Sequence, residues 1–230
     1  MSSNSCFLVL RLIGPLQSWG FDSQYSRRNT GLMPTKSAIA GMCCAAFGYD
    51  RGGQLEQTFL EKFAAVKTCS IAIPRTIIKK SPTQTKDVVL NVRRLQDYHT
   101  VQNTRKADGG TKDCHITHRQ YLTDASFGIL LEGECDFLQA TAEQLKNPVW
   151  GIWFGRKSCI PAAPVLAGVK ATKVEALKLL GINSLSDYTV QTEMETFAEG
   201  RDSIPDSPVS FATEKRLFSP RRVKTVVARV

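Results

Sequence analysis

Residues 7–15 read FLVLRLIGP, and this stretch marks the start of the predicted fold. The run from Phe7 to Ile13 is apolar apart from one arginine, which is typical of a buried β-strand. Gly14 and Pro15 end it, because a proline lacks the N–H that a central strand donates to its neighbour. We therefore predict a first strand over Phe7–Ile13 and a loop that continues to Pro34.

The apolar residues after this loop follow a helical period. Four of them are spaced as i, i+3, i+4 and i+7 on one helical face: Ile39, Met42, Cys43 and Ala46. Either Thr35 or Ser37 is placed to cap the start of this helix, and Gly48 follows its end. The pattern predicts a strand, a long loop and a helix.

Further strand-like and helical runs follow along the chain. A second helix is predicted from apolar residues at helical spacing: Leu55, Phe59, Phe63 and Val66. Then come strand candidates at Thr68–Ile73, Val88–Leu95 and Ser126–Leu131, and a helix that Asp136 caps and that runs to Lys146 before Pro148. Allowing for insertions, this order predicts an α+β fold with a ferredoxin-like βαββαβ sheet, as in RNA-recognition modules.

The C-terminal part gives weaker signals. Residues 174–180 predict a short helix closed by Gly181, and the polar, acidic segment from Asp187 to Ser207 predicts a mobile surface loop. Residues 221–230 (RRVKTVVARV) predict a last strand, either an edge strand protected by its charges or a further nucleic-acid contact. With no internal repeat and no second core, we predict one domain over residues 1–230.

The composition indicates a globular protein. Hydrophobic residues make up 42% of the chain, and no stretch reaches the roughly 18 consecutive apolar residues that a membrane span needs. The polar start, Met1–Ser5, is unlike the basic start of a signal peptide, so we predict a cytoplasmic protein. The seven cysteines lack CxxC spacing and are expected to be reduced.

Positive charge is concentrated in the middle of the chain. Residues 75–121 contain ten Lys or Arg and four Asp, a net charge of +6 out of +9, together with all three histidines. Residues 132–206 have a net charge of −4. Such an uneven distribution is typical of a surface that binds a polyanion.

Residues 97–121 (DYHTVQNTRKADGGTKDCHITHRQY) have almost no aliphatic periodicity. The turn signal Asp108-Gly109-Gly110 at their centre predicts a long hairpin or a flexible arm that projects from the core. Cationic and aromatic side chains alternate along it, which suits single-stranded RNA because cations follow the phosphates and rings stack on unpaired bases. We predict this basic thumb as an insertion at about residues 93–119.

Five motifs occur in an order that resembles a known family: LVLRLIGPLQSWG, NTGLMPTKSAIAGM, LQDYHTV, HRQYLTDASF and FGRKSC. They are similar to the family-five RAMP subunits (the CasD family) of the type I-E CRISPR surveillance complex, Cascade. The resemblance implies an RRM-like palm with a thumb. It also implies a subunit that binds the 5′ handle of the mature crRNA, contacts the backbone subunit CasC and the large subunit CasA, and meets target DNA only indirectly.

Together, the composition and the resemblance predict an RNA-binding surface that needs no cofactor or metal. A helix N-terminus beside a lysine is a favourable phosphate site, and a basic turn follows the tryptophan-rich segment. The predicted RNA-binding residues are Arg28, Thr30, Lys36, Ser37, Tyr98, His99, Arg105, Lys106, Lys112, His115, His118, Arg119, Arg156 and Lys157. Trp19 is open to two interpretations, core packing or base stacking, whereas Trp150 and Trp153 are expected in the core or an interface.

Catalysis is the alternative hypothesis. Type I-C relatives in the same family cleave precursor RNA without a metal, which would here draw on Tyr98, His99, His115 or His118. Their site includes an adjacent Lys-His pair, and this sequence has none. A flexible arm also holds catalytic groups poorly, so we predict a non-catalytic protein. Cys114, His115 and His118 lack a fourth ligand at structural-zinc spacing, and Gly109–Lys112 lacks the strand and helix of a phosphate loop.

Overall fold

The computed structural model describes residues 4–20, 22–80, 85–90, 92–106, 108–196 and 198–228. The strands are β1 (Ser5–Ile13), β2 (Leu16–Gln17), β3 (Arg27–Arg28), β4 (Lys67–Ala72), β5 (Arg75–Lys80), β6 (Thr85–Leu90), β7 (Arg93–Arg105), β8 (Thr111–Thr123), β9 (Ser126–Glu134), β10 (Leu166–Lys170), β11 (Thr189–Met194), β12 (Asp202–Ser210) and β13 (Leu217–Val226). The α-helices are α1 (Lys36–Phe47), α2 (Gln54–Ala64), α3 (Cys135–Lys146) and α4 (Lys173–Leu179), and a 3-10 turn spans Leu185–Asp187.

The predicted α+β fold is confirmed. A seven-stranded sheet has the order β10-β1-β9-β4-β11-β13-β12, and every neighbouring pair is antiparallel. Its first four strands alternate with α1 and α3 along the chain as βαββαβ, which is the ferredoxin-like arrangement. We call these four strands and the helices on them the palm.

Strand β1 lies inside the palm and is buried on both faces. Leu8, Leu10 and Leu12 join the main core beneath α1, α2 and α3, whereas Val9 joins a smaller cluster beneath α4. Two buried faces explain why this strand is almost continuously apolar, since neither set of alternate positions meets water.

The caps of the helices follow local chemistry. The Thr35 side chain accepts a hydrogen bond from the Ala38 N–H at the start of α1, and Gly48 ends that helix in the left-handed conformation that glycine favours. At α3 the cap is Glu134, two residues before the predicted Asp136, and its carboxylate accepts from the N–H groups of Asp136 and Phe137. The prediction of Asp136 as the cap was wrong because the helix begins at Cys135, so Asp136 already lies in its first turn.

The predicted mobile loop at Asp187–Ser207 was also wrong, because most of it forms β11 and the first part of β12. Strand β11 lies between β4 and β13, so it is central in the sheet. Two ion pairs neutralise Glu193 of β11 and Asp206 of β12: Lys36 pairs with Glu193, and Arg221 pairs with Asp206. The prolines are tolerated because β12 is an edge strand whose register shifts around them.

The basic C-terminal strand is not an edge. Strand β13 pairs with β11 on one side and β12 on the other, and Arg221 is buried against Asp206. The charge of Arg221 therefore serves packing rather than edge protection. Arg229, which was predicted in the same strand, lies outside the described residues.

Two hairpins leave the palm between β4 and β9. Strands β5 and β6 form the first, and β7 and β8 form the second. The predicted single strand Val88–Leu95 was wrong: Leu90 still pairs with Arg75, but Arg93 already pairs with Thr123. The chain changes its pairing partner between Leu90 and Arg93, and the strand-like composition of residues 88–95 does not mark this change.

The described cysteines are all free thiols, and all except Cys114 and Cys135 are buried. Burial raises the pKa of Cys6 and of Cys44 to about 12 because the interior disfavours a thiolate. Within the described ranges, no helix is long and apolar enough to cross a membrane.

Candidate nucleic-acid interface

The hairpin of β7 and β8, which we call the thumb, is the largest projecting element. Each strand has thirteen residues, so the thumb extends about 40 Å from its base. Most of its side chains are exposed or half-exposed, and the buried ones, Thr117, Tyr121 and Leu122, lie in its lower half. The thumb therefore offers both of its faces to a ligand over much of its length.

Pairing across the thumb sorts its candidate residues into two faces, since directly opposed residues share a face. Tyr98 is opposite His118, and their rings meet edge to face with centroids 5.3 Å apart. His99 and His115 lie on the other face, opposite Thr117 and Val101. The three histidines are thus not one cluster.

The second face also carries ionic side chains. Arg119 is opposite Asp97, and its Nε donates to the Thr117 hydroxyl at 3.1 Å. The Asp97 carboxylate lies 3.6 Å from Nδ1 of His99, an ion pair when that imidazole is protonated. His99 and His115 are diagonal neighbours here.

Cations crowd the tip of the thumb. Arg105, Lys106 and Lys112 are all exposed there. The tip turn is held by the Asp108 carboxylate, which accepts from the Gly110 N–H at 2.9 Å, and by Gly109 with φ of +84°. Because the turn is closed by its own backbone and Asp108, the cations are left to contact solvent or a ligand.

The base of the thumb is tied to the palm by backbone pairing and by one arginine. Strand β3 runs parallel to β8, with Arg28 opposite Arg119. Arg156 donates from Nη1 to the Gln120 carbonyl at 2.9 Å and from Nη2 to the Arg28 carbonyl at 2.7 Å, and it stacks 4.6 Å from the centroid of Tyr121. Arg156 therefore fixes the thumb to the palm.

The N-terminus of α1 does not offer the predicted phosphate site. Lys36 is fully buried, and its ammonium donates to Glu193 at 2.9 and 3.1 Å and to the Ala64 carbonyl at 3.2 Å. Burial lowers the pKa of Lys36, and the Glu193 carboxylate opposes that shift. The Lys36 N–H itself donates to the buried Asp206 carboxylate at 2.9 Å, so an anion of the protein already occupies this helix end.

Thr30 is likewise a packing residue. Its hydroxyl accepts from the Trp19 N–H at 2.8 Å and donates to the Gly31 carbonyl at 3.0 Å. Trp19 is fully buried against Phe127 and Phe154, which settles its two interpretations in favour of the core. Of the four residues predicted between positions 28 and 37, Arg28 and Ser37 remain accessible, and Lys36 and Thr30 are excluded from the surface.

Ser37 and Arg28 meet Arg156 in an open groove of about 550 Å³ beside the thumb. Trp150 and Trp153 line this groove; the first is 43% exposed and the second is half-buried, so neither is a core residue. Lys157 is exposed, and its Nζ lies 5.9 Å from the Trp153 ring centroid. The predicted surface residues of the palm therefore collect at one edge of the thumb.

The sequence interpretation missed several arginines. Arg27 and Arg94 line a second cavity of about 630 Å³ at the thumb base, and Arg51 and Arg216 line the groove. Two of them had a usable signal: Arg27 adjoins Arg28 in a polar loop, and Arg94 belongs to the basic segment 75–121. In the part of the chain that the structure describes, no group of three or more His, Cys, Asp or Glu is arranged to bind a metal ion.

Comparison with known proteins assigns the family. The family model described as CRISPR-associated protein (Cas_Cas5) matches residues 7–224. The Escherichia coli (strain K12) protein named CRISPR system Cascade subunit CasD is 30% identical over 167 residues, which make up 70% of this chain and 70% of that protein.

Two solved structures are similar over nearly the whole chain. One, described as a CRISPR RNA-guided surveillance complex, contains a chain that is 24% identical with a TM-score of 0.72, over 97% of this chain and 90% of that one. The other, described as a crystal structure of Cas protein, is 27% identical with a TM-score of 0.63, over 96% and 94%. The predicted resemblance is confirmed, and the chain belongs to the Cas5 family of CRISPR-associated proteins.

Proposed function

We propose that this chain is a non-catalytic subunit of a type I-E CRISPR surveillance complex, Cascade, acting in antiviral defence. In this role it binds the 5′ handle of the mature crRNA and caps the backbone of the complex. Its family, and its 30% identity to a protein named as a Cascade subunit, support this class of assembly.

The proposal that this chain binds RNA rests on the exposed cations and aromatic rings of the thumb. Arg105, Lys106 and Lys112 are exposed at its tip, and the exposed Tyr98 ring rests against His118 partway down. Cations that follow phosphates and rings that accept unstacked bases are the two parts of a single-strand binding surface.

The mechanism is capture. The palm holds the handle while the thumb crosses the RNA, displaces one nucleotide and separates the handle from the spacer. Pairing by the guide then supplies sequence specificity, and this subunit reads the backbone and shape of the RNA. Its partners are the crRNA, the backbone subunit CasC and the large subunit CasA, with target DNA met indirectly through the guide.

The geometry restricts the alternative, a type I-C kind of endoribonuclease. General acid–base cleavage needs its proton donor and acceptor on the same side of the scissile phosphate, within hydrogen-bond reach. Tyr98 and His118 lie on one face of the thumb, and His99 and His115 lie on the other. Such an enzyme would therefore have to use one of these two pairs, and the sequence lacks the adjacent Lys-His pair of the type I-C site.

Incubation of the purified protein with labelled repeat RNA and EDTA tests this function directly. We expect a retained complex and intact RNA. Site-specific cleavage that disappears in His115→Ala or His118→Ala would make the protein a nuclease and refute the proposal.

Reversal of charge at the thumb tip tests where the phosphates bind. The variant Arg105→Glu with Lys106→Glu should bind the handle more weakly and should flatten the salt dependence, by up to about 1.4 in the slope of log K against log salt if each residue neutralises one phosphate. The matched control is Lys173→Glu with Lys178→Glu, which makes the same change of net charge on exposed positions of α4. Equal slopes for both variants would count against phosphate contacts at the tip.

A further inference from the structure

The groove beside the thumb has walls of aromatic rings. It lies between α1, the segment 150–156 and the turn from β12 to β13. Its rings are Tyr49, Trp150, Trp153, Phe211 and Phe218, none of them fully buried. Two sides of the groove thus present flat apolar surfaces that solvent reaches.

The same groove is positively charged. Among the residues that the structure describes, Arg28, Arg51, Arg156 and Arg216 line it, together with one acid, Glu56. Arg28 belongs to β3, which pairs with β8, and Arg156 holds the Gln120 carbonyl of β8. The groove is therefore continuous with the base of the thumb, and a strand bound by the thumb can enter it.

Glu56 gives the groove a selective feature. The residue is 2% exposed and lies on α2, where its Oε2 accepts from the Gly52 N–H at 2.8 Å. The residue also lines the groove. An ionised carboxylate accepts hydrogen bonds and donates none, so it suits the amino group of a base and repels a phosphate.

We propose that this groove takes one unstacked, amino-bearing base of the bound RNA, with the base stacked on the aromatic wall and its amino group donating to Glu56. The inference rests on the proposed RNA-binding function and adds a base-specific subsite to it. Adenine, cytosine and guanine carry exocyclic amino groups, whereas uracil offers only its ring N3–H, so the site favours the three amino-bearing bases over uracil.

RNA is favoured over a protein segment by the combination of features. An interface for an acidic peptide would also use Trp, Tyr and Arg, but it gains nothing from a buried acid in its wall. Arg28 and Arg156 lie on the thumb side of the groove, where Arg156 donates to the Gln120 and Arg28 carbonyls. Glu56 lies on α2, beside Gly52 and Arg51. A nucleotide whose phosphate meets Arg28 and Arg156 can therefore direct its base toward Glu56.

The test measures the binding of labelled oligo(A), oligo(C) and oligo(U) RNA, each of about twelve nucleotides, to the full chain by fluorescence anisotropy. Wild-type protein should bind oligo(A) and oligo(C) about fivefold or more tightly than oligo(U), as expected for one good polar contact to a base edge. Trp150→Ala should weaken all three by about fivefold or more through lost stacking. Glu56→Gln, which keeps an acceptor for Gly52, should narrow the preference against oligo(U).

The matched control is Leu55→Ala, which changes an exposed residue of α2 that does not line the groove and should bind the three RNAs as wild type does. Circular dichroism establishes that each variant is folded. Wild-type protein that binds none of the RNAs would refute the proposed function itself. If the wild-type protein binds RNA and neither Trp150→Ala nor Glu56→Gln changes that binding, only the proposed base site in the groove is refuted. The same conclusion holds if these variants lose co-purifying protein subunits while their RNA binding is unchanged.

Discussion

Asp206 joins the C-terminal strands to the palm, and its replacement by asparagine tests that joint. Its Oδ1 accepts from Nε of Arg221 at 2.6 Å, and its Oδ2 accepts from Nη2 of Arg221 at 3.0 Å and from the Lys36 N–H at 2.9 Å. All three partners are donors. Asparagine has one oxygen in place of two, so at least one donor would face an NH2 group.

The expected cost follows from burial. The side chains of Asp206 and Arg221 are 1% and 4% exposed, so the substitution leaves a guanidinium in the interior without its counter-charge. Removal of one partner of a buried ion pair costs about 3–5 kcal/mol. Against a total stability of about 5–15 kcal/mol for a domain, Asp206→Asn should remove a large part of the free energy of unfolding.

Urea unfolding followed by circular dichroism measures this cost. Glu195→Gln is the control, because it neutralises an acid whose ion pair with Lys67 is exposed and should leave the free energy of unfolding nearly unchanged. In an Arg221→Met background Asp206→Asn should cost much less, since a single oxygen then suffices for the Lys36 N–H. Two results would contradict this reasoning: a loss of unfolding free energy in Asp206→Asn as small as in the control, or an equal loss with and without Arg221. Either one would show that the Asp206–Arg221 ion pair does not stabilise the contact between the C-terminal strands and the palm.

Two further predictions concern the glycine turn and the thiols. Gly155→Ala should lower the free energy of unfolding by more than Gly109→Ala does. Both glycines have a positive φ, which an alanine adopts with strain. However, a Cβ at position 155 would lie 1.8 Å from the Ser18 carbonyl oxygen, whereas a Cβ at position 109 would have no atom within 4 Å. Similar unfolding free energies for the two variants would contradict that close approach. In a reaction with a thiol reagent at pH 8, Cys114→Ser should remove the fastest phase of cysteine modification, because Cys114 is exposed. Burial raises the pKa of Cys6 and of Cys44 to about 12, so these two thiols stay protonated and react slowly. Retention of the fast phase in that variant would show that another cysteine is more accessible.

The palm was predictable because its local signals agree with its packing. The run at Phe7–Ile13 predicted a buried strand, and the spacing of Ile39 to Ala46 predicted α1 with Thr35 or Ser37 as its cap and Gly48 past its end. Of the two cap candidates, the structure uses Thr35. In each case the structure buries the residues that the apolar spacing marks as buried, or caps the helix with a residue that the sequence offers for that role. The family resemblance added the order of the motifs.

The C-terminal strands were not predictable in the same way. The segments appear polar because they contain Glu193, Asp206 and Arg221, yet each of these charges is neutralised by a residue far away in the sequence. Asp206 and Arg221 are 15 residues apart, and Lys36 and Glu193 are 157 residues apart. A hydropathy pattern counts such residues as solvent-facing because it contains no information about pairing. These long-range ion pairs also explain the wrong prediction at the N-terminus of α1. Lys36 is buried against Glu193, and the Asp206 carboxylate accepts from the Lys36 N–H where a phosphate was expected.

The arrangement of the thumb, by contrast, follows from its turn. Residues equidistant from Asp108 face each other in the hairpin, which places Tyr98 opposite His118 and Val101 opposite His115. Since side chains alternate between the faces of a strand, His99 and His115 share one face and His118 takes the other. The position of one turn thus places His118 on the opposite face from His99 and His115, so the three histidines do not form a single cluster. Only the groove lay beyond such reasoning, because its arginines and rings come from segments that meet only when the sheet and α1 are assembled.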